Sequence, residues 1–306
     1  MTLYILFILG GIVLAVIGGE LFVRGSVGLA RSFRVPVGLI GVTVAAFATS
    51  SPEISVAVNA ALAGEPKISL GDLLGSNIVN VALILAIALL FSGIRVSVQD
   101  VKRDFVMSLG VPILLGLLSL DGELSRLDGV WMIAAFAVWL TLTIREALRH
   151  RQNSNGSAEE HPFRAIIFCV IGLAILILSG RLIVDGAKGV ALALGASEFV
   201  IGATVVAIST STPELATTIM AKIRGHDELG LGNVLGSNIF NGAFIAALLM
   251  FISPMTISIR EIGVELFFGV LVVLAIIPLS EWIGRKRGFF LLATYVAYLI
   301  VVIGRQ

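Results

Sequence analysis

Residues 40–53 read IGVTVAAFATSSPE and residues 201–214 read IGATVVAISTSTPE. Each stretch sits inside a long apolar run and ends on proline followed by glutamate. A carboxylate at that depth in a membrane is costly unless it is paired or lines a wet cavity, yet the chain places it there twice. The two glutamates, Glu53 and Glu214, lie 161 positions apart. The same offset aligns Gly25 with Gly186, Gly41 with Gly202, Gly75 with Gly236 and Ser92 with Ser253. It also sets LGDLLGSNIVN (70–80) against LGNVLGSNIFN (231–241). No gap is needed from Phe22 to Ser92, and roughly a third of the paired positions are identical. The matches fall on Gly, Thr, Ser, Pro, Glu and Asn, not only on the Leu, Val and Ile that any two apolar segments share. The chain is an internal duplication.

Composition says where that duplication resides. Of 306 residues 58% are hydrophobic and 13% charged, with a mean hydropathy of +1.05; a soluble domain carries about 25% charged residues. Stretches of ~20 apolar residues suffice to cross a bilayer. The expected fold is an all-α polytopic membrane protein. A net charge of +1 without a basic block gives no sign of nucleic acid. The single cysteine, Cys169, excludes internal disulfides and cysteine metal clusters. LYILFILGGIVLAVIGGELFV (3–23) lacks a basic n-region and an A-x-A site, so it reads as a retained helix.

Spans are expected near 3–23, 37–62, 70–91, 104–120 and 127–146, then near 164–184, 198–223, 231–252, 262–280 and 288–304. Residues 1–148 and 163–306 form the two halves, joined by the polar linker RHRQNSNGSAEEHP (149–162). An odd number of spans per copy makes the second enter from the opposite side. Ten transmembrane helices in two inverted five-helix repeats follow, a recurrent transporter plan. Lys67, Arg126, Arg181, Lys188, Arg260 and Arg305 fall on one side and the other fifteen of the 21 Lys and Arg on the other. Positive charge inside then puts both termini out and the linker in the cytoplasm. Asp121 and Asp128 are expected to organise the outer hairpin LDGELSRLDG (120–129).

Two carboxylates at equivalent depths of an inverted repeat meet near the midplane, where they repel unless a cation or protons lie between them. Pro52 and Pro213 break their helices, which is expected to free carbonyls around Ala46 and Ala48 and around Ala207 and Ser209. Thr49 and Glu53 share a helix face, as do Thr210 and Glu214; Ser50 and Ser211 add hydroxyls. Ser76 and Asn80, like Ser237 and Asn241, share a face one helix on. Asn77 and Asn238 read equally well as ligands or as interhelical hydrogen-bond glue. Gly71 with Gly75, and Gly232 with Gly236, have the spacing that lets helices approach closely. Asp72 matches Asn233, so the copies differ in charge; its plainer reading is a place at a helix interface. Every donor is oxygen, which favours Ca2+, Na+ or H+-linked carboxylates over a zinc-type site.

With ATSSPE followed by GSNIVN, STSTPE followed by GSNIFN, and the DG-x5-DG pattern from Asp121, the chain resembles the calcium/cation antiporter superfamily, on the side of its prokaryotic sodium/calcium exchangers. The resemblance implies ten helices, with ion sites between the second, third, seventh and eighth. It implies a central Ca2+ site at Glu53 and Glu214 with Thr49 and Thr210, and with Asn80 and Asn241 in the same cluster. It further implies flanking Na+ sites from Ser50, Ser211, Ser76 and Ser237 with the carbonyls of Ala46 and Ala207. Some relatives have Asp at the position of Asn241, including potassium-dependent ones, so K+ co-transport is less expected. The proton-coupled branch shows a GNxxE pattern in place of TSxPE.

The function expected is antiport of Ca2+ against Na+ by alternating access in the cell membrane. H+/Ca2+ antiport is the alternative, and a cation channel a more distant one. The ions are cargo, so no cofactor is implied; the partners are Ca2+, Na+ and the lipid bilayer, and no protein partner is evident. Neither H-E-x-x-H nor G-x-S-x-G occurs, which argues against an enzyme.

Overall fold

The computed structural model describes residues 2–153, 162–193, 210–278 and 280–304. Ala207, Ser209 and most of the linker lie outside the described residues. The helices are α1 (Thr2–Phe33), α2 (Val37–Thr49), α3 (Ser51–Leu62), α4 (Pro66–Phe91), α5 (Val98–Leu118), α6 (Arg126–Asn153), α7 (Pro162–Ala193), α8 (Thr212–Ile223), α9 (Asp227–Ile252), α10 (Ile259–Ala275) and α11 (Arg285–Gly304). Among the described residues seven are long and apolar enough to cross a bilayer, or eight when α2 and α3 count as one bent span. The expected span 262–280 stops early at Ala275. Pro278 explains this, because the residue before a proline is pushed out of helical geometry.

The polarity is that of a protein in lipid. Leu3, Leu6, Leu9, Val13 and Val16 of α1 are exposed, while serines, threonines, asparagines and glutamates are buried. In α4 and α9 78% of the most apolar window is buried, against 22–39% in the other five single-helix spans. These two helices are therefore central, and they carry the GSNI motifs.

Close approaches of glycine set the packing. α1 and α7 run antiparallel along most of their length: a methyl on Gly18 would lie 3.0 Å from the Gly172 carbonyl, and one on Gly172 2.6 Å from the Phe22 nitrogen. α2 crosses α9 as tightly, since a methyl on Gly232 would lie 2.7 Å from the Gly38 carbonyl and one on Gly41 2.7 Å from the Leu229 carbonyl. Among the described residues Gly71 has no neighbour within 4 Å, and Gly75 meets only the Tyr298 hydroxyl at 3.7 Å. In α9 the glycines face α2; the sequence equivalent of α2 falls largely within 194–209, outside the described residues.

Among the described residues four short strands tie the ends of the halves together. β1 (Ile94–Arg95) pairs antiparallel with β4 (Trp282–Ile283), and β2 (Glu123–Leu124) with β3 (Met255–Thr256). Under the offset of 161, β1 is the counterpart of β3, so each copy lends a strand to the other. Asp121 and Asp128 hold the hairpin at β2: Asp121 Oδ1 accepts the Glu123 N–H at 3.1 Å, and Asp128 Oδ2 accepts the Ser125 N–H and hydroxyl at 2.7 Å.

Candidate cation site

The helix break is local and repeated. Ser50 has φ −80° and ψ 8°, and Ser211 has φ −84° and ψ 10°, too little ψ twist to continue an α-helix. α2 and α3 consequently meet at 42°. Pro52 and Pro213 fall in the first turn of α3 and α8, where a missing N–H costs nothing. Glu53 and Glu214 occupy the same first turns, at the positive end of a helix dipole, which favours a carboxylate. The carbonyls one turn back are not freed as the proline rule suggests. N–H groups at the break reach both Ala46 and Ala48, and Ser50 N donates to Ala46 at 3.0 Å. Each of these carbonyls keeps one lone pair instead of two.

Around this break the buried polar groups converge. Thr49, Ser50, Glu53, Ser76, Asn80, Ser211, Glu214, Asn233, Ser237 and Asn241 are all 0% exposed. The Thr49 hydroxyl donates to Asn233 Oδ1 at 3.1 Å, with the Ala46 carbonyl and Ser237 Oγ each 3.4 Å away. Ser237 and Ser50 donate to Glu214 Oε1 at 3.2 and 3.5 Å. Ser76 Oγ lies 3.4 Å from Thr210 Oγ1. These contacts bring α2, α3, α4, α8 and α9 to one place, from both copies.

What is unsatisfied matters more. Both oxygens of Glu53, Glu214 Oε2, Ser211 Oγ, Asn80 Oδ1 and both polar atoms of the Asn241 amide are buried without a hydrogen-bond partner. Native proteins leave few such groups, and each calls for a cause. A buried cluster of carboxylate, hydroxyl, amide and carbonyl oxygens is suited to hard cations. Among the described residues no three His, Cys, Asp or Glu side chains converge as a cluster able to hold a metal. An ion here would be held by two carboxylates and neutral oxygens.

Two features were not readable from sequence. α-Helical winding loosens to π at Gly41–Ala45, Asn80–Leu85 and Phe240–Ile245; Asn80 and Asn241 sit at the start of such segments, which recur at functional sites. Asn233, the counterpart of Asp72, is the partner of Thr49. Asn77 and Asn238 are seen to bridge the copies: Asn77 Nδ2 donates to the Asn238 carbonyl at 3.2 Å and Asn238 Nδ2 to the Asn77 carbonyl at 3.0 Å. This reciprocal pair marks a local two-fold axis, and Asn80 Nδ2 joins it by donating to Asn238 Oδ1 at 3.1 Å.

The family profile described as sodium/calcium exchanger protein matches residues 3–145 and 164–304. The chain is 31% identical to the inner membrane protein YrbG of Escherichia coli, over 95% of this chain and 94% of that one. It is 28% identical to the sodium/calcium exchanger MaX1 of Methanosarcina acetivorans, covering 98% of this chain and 99% of that protein. Among solved structures, the sodium-calcium exchanger NCX_Mj soaked with Na+ and Sr2+ superposes with a TM-score of 0.83 at 32% identity, over 97% of both chains.

Proposed function

Because the chain belongs to the sodium/calcium exchanger family, we propose that it is a secondary active antiporter exchanging Ca2+ for Na+ across the cell membrane by alternating access. One observation carries this reading. Two fully buried glutamates, one from each copy, stand among buried oxygen-bearing side chains with three of their four carboxylate oxygens unpartnered. Cations are the missing partners. Glu53 and Glu214 with Thr49 and Thr210 form the central Ca2+ site, and Asn80 and Asn241 lie in the same cluster. Ser50, Ser211, Ser76 and Ser237 with the carbonyls of Ala46 and Ala207 form the flanking Na+ sites.

Exchange follows from charge. Two carboxylates balance one Ca2+, or a set of monovalent ions, and cannot hold both loads at once. Burial of unpaired carboxylates is costly, so the empty site is disfavoured and one load displaces the other. The chain crosses the bilayer ten times, as halves 1–148 and 163–306 inverted about the axis marked by Asn77 and Asn238. The exchanged strands and the antiparallel α1–α7 pair support that arrangement. Both termini lie outside and the linker 149–162 lies in the cytoplasm. α1 and α7, locked along their glycines, move as one unit across the bundle that holds the site.

The test is 45Ca2+ uptake into proteoliposomes loaded with Na+. Uptake is expected to follow the Na+ gradient and to collapse when Na+ is replaced by choline. Uptake that ignores Na+ but follows an imposed pH gradient would overturn the choice of coupling ion.

A further inference from the structure

The two halves of the site share their hydroxyls but not their charge. On one side Thr49 donates to Asn233, stands 3.4 Å from Ser237, and Ser237 donates to Glu214. The offset of 161 turns this set into Thr210, Asp72, Ser76 and Glu53. Thr210 is hydrogen-bonded to Asp72 and lies 3.4 Å from Ser76, so the first two links are kept. The third is absent: no side-chain donor reaches Glu53, and Ser211, the counterpart of Ser50, has no partner at Oγ. Asp72 Oδ2 is likewise buried and unpartnered. The Glu53 side thus holds three bare carboxylate oxygens and a bare hydroxyl, where the Glu214 side holds a single bare carboxylate oxygen, Glu214 Oε2. The charges of Glu214 and Asp72 both bear on Glu53, yet the three carboxylates do not converge on one point. Asp72 therefore cannot be a third ligand of an ion shared by the two glutamates.

We propose that Asp72 supplies the charge of a monovalent-cation position on the Glu53 side, built with Ser76, Thr210 and Ser211, and that the Asn233 side has no equal. The proposal rests on the exchanger reading above. One full carboxylate beside neutral hydroxyls balances a single positive charge, and charge count tunes cation affinity. The two flanking positions are consequently unequal: Na+ fills the Asp72 side first and the Asn233 side last.

Asp72→Asn is the direct test, because the equivalent Asn233 already bonds its threonine and the fold tolerates the amide there. In proteoliposomes the variant should raise the Na+ concentration that half-maximally releases Ca2+ by roughly tenfold or more, as expected for losing a charge beside the ion. Half-saturation by Ca2+ should move less than about threefold, since its two glutamates remain. Asp72→Glu should stay close to wild type in Na+ dependence. In parallel, the melting temperature of purified protein in detergent is followed against NaCl, with choline chloride as control. Na+ should stabilise wild type, and Asp72→Asn should need about tenfold more Na+ for the same rise. An unchanged Na+ dependence in Asp72→Asn, or equal losses for Na+ and Ca2+, would overturn the proposal. If wild type shows no Na+-driven Ca2+ release, the exchanger reading fails; the melting curves still decide on Asp72, and wild type indifferent to Na+ in them overturns its role.

Discussion

At Glu214, Ser237 and Ser50 donate to one carboxylate oxygen at 3.2 and 3.5 Å; at Glu53 no side-chain donor reaches either oxygen. Both glutamates are fully buried, both follow a proline, and both stand in the first turn of a half-helix. The same hexapeptide logic has been written twice and satisfied once. Duplication fixes which side chains reach the centre, but the partners each one finds depend on the rest of its copy. The side left without donors is the side with most to gain from a cation.

The largest effects should come from the glutamates themselves. Glu53→Gln and Glu214→Gln should each lower Ca2+ transport by more than about a hundredfold, because a site with one carboxylate no longer balances a divalent ion. Their ion-free stabilities should separate them. Removing an uncompensated buried charge relieves its desolvation cost, so Glu53→Gln should raise the melting temperature of the ion-free protein more than Glu214→Gln, which also weakens two charge-assisted hydrogen bonds. Near-normal transport in both variants would sink the site, and equal melting temperatures would sink the contrast between its halves.

A second contrast lies in the glycines. Gly232→Ala should destabilise the protein by about 1–3 kcal/mol, the usual cost of overpacking, because its methyl meets the Gly38 carbonyl at 2.7 Å. Gly110→Ala in α5 meets nothing within 4 Å among the described residues and should gain helix propensity, up to about 1 kcal/mol. Thermal unfolding in detergent compares them, and a loss at Gly110 as large as that at Gly232 would show that both glycines are packed.

These contrasts mark what was legible in the sequence. The duplication, the apolar spans and the polar residues that gather at the centre could all be read, because Gly, Ser, Thr, Asn, Pro and Glu stand out against hydrocarbon. The π segments at Asn80 and Phe240 could not, since an extra residue in a helical turn leaves no mark in residue type or spacing. Nor could the role of Asn233, whose neighbour Thr49 is 184 residues away. Proline gave the position of the break but not its detail: N–H groups at the break retain the Ala46 and Ala48 carbonyls that the sequence rule would release.

Smaller effects should follow at the axis between the copies. Asn77→Ala removes one donor to the Asn238 carbonyl and should cost about 0.6 kcal/mol, the average for interhelical bonds in membranes. Asn238→Ala also strands the Asn80 amide, so it should cost about 1–2 kcal/mol. Equal costs would mean that the Asn80 contact contributes nothing.

The smallest effect should appear at Lys67 and Glu261. Their sequence equivalents, Glu228 and Asp100, are both acidic, so this pairing exists in only one of the two related positions. Lys67 Nζ donates to Glu261 at 2.8 Å, and the Ser258 N–H and hydroxyl donate at 2.7 and 3.1 Å. Lys67 first, and the Ser258 cap with it, hold the Glu261 carboxyl down to about 2, below its ordinary value of 4.5. A depressed carboxylate contributes stability that is complete above the ordinary value and is lost as pH falls towards 2. The side chains are 51% and 47% exposed, so solvent and salt screen the pair and its share of stability is slight. Lys67→Met should therefore leave the melting temperature near neutral pH almost unmoved while raising the Glu261 pKa part of the way to 4.5, the Ser258 cap remaining. A carboxyl 13C titration in detergent micelles reads this directly, and a Glu261 pKa unmoved by the substitution would assign its depression to the cap alone.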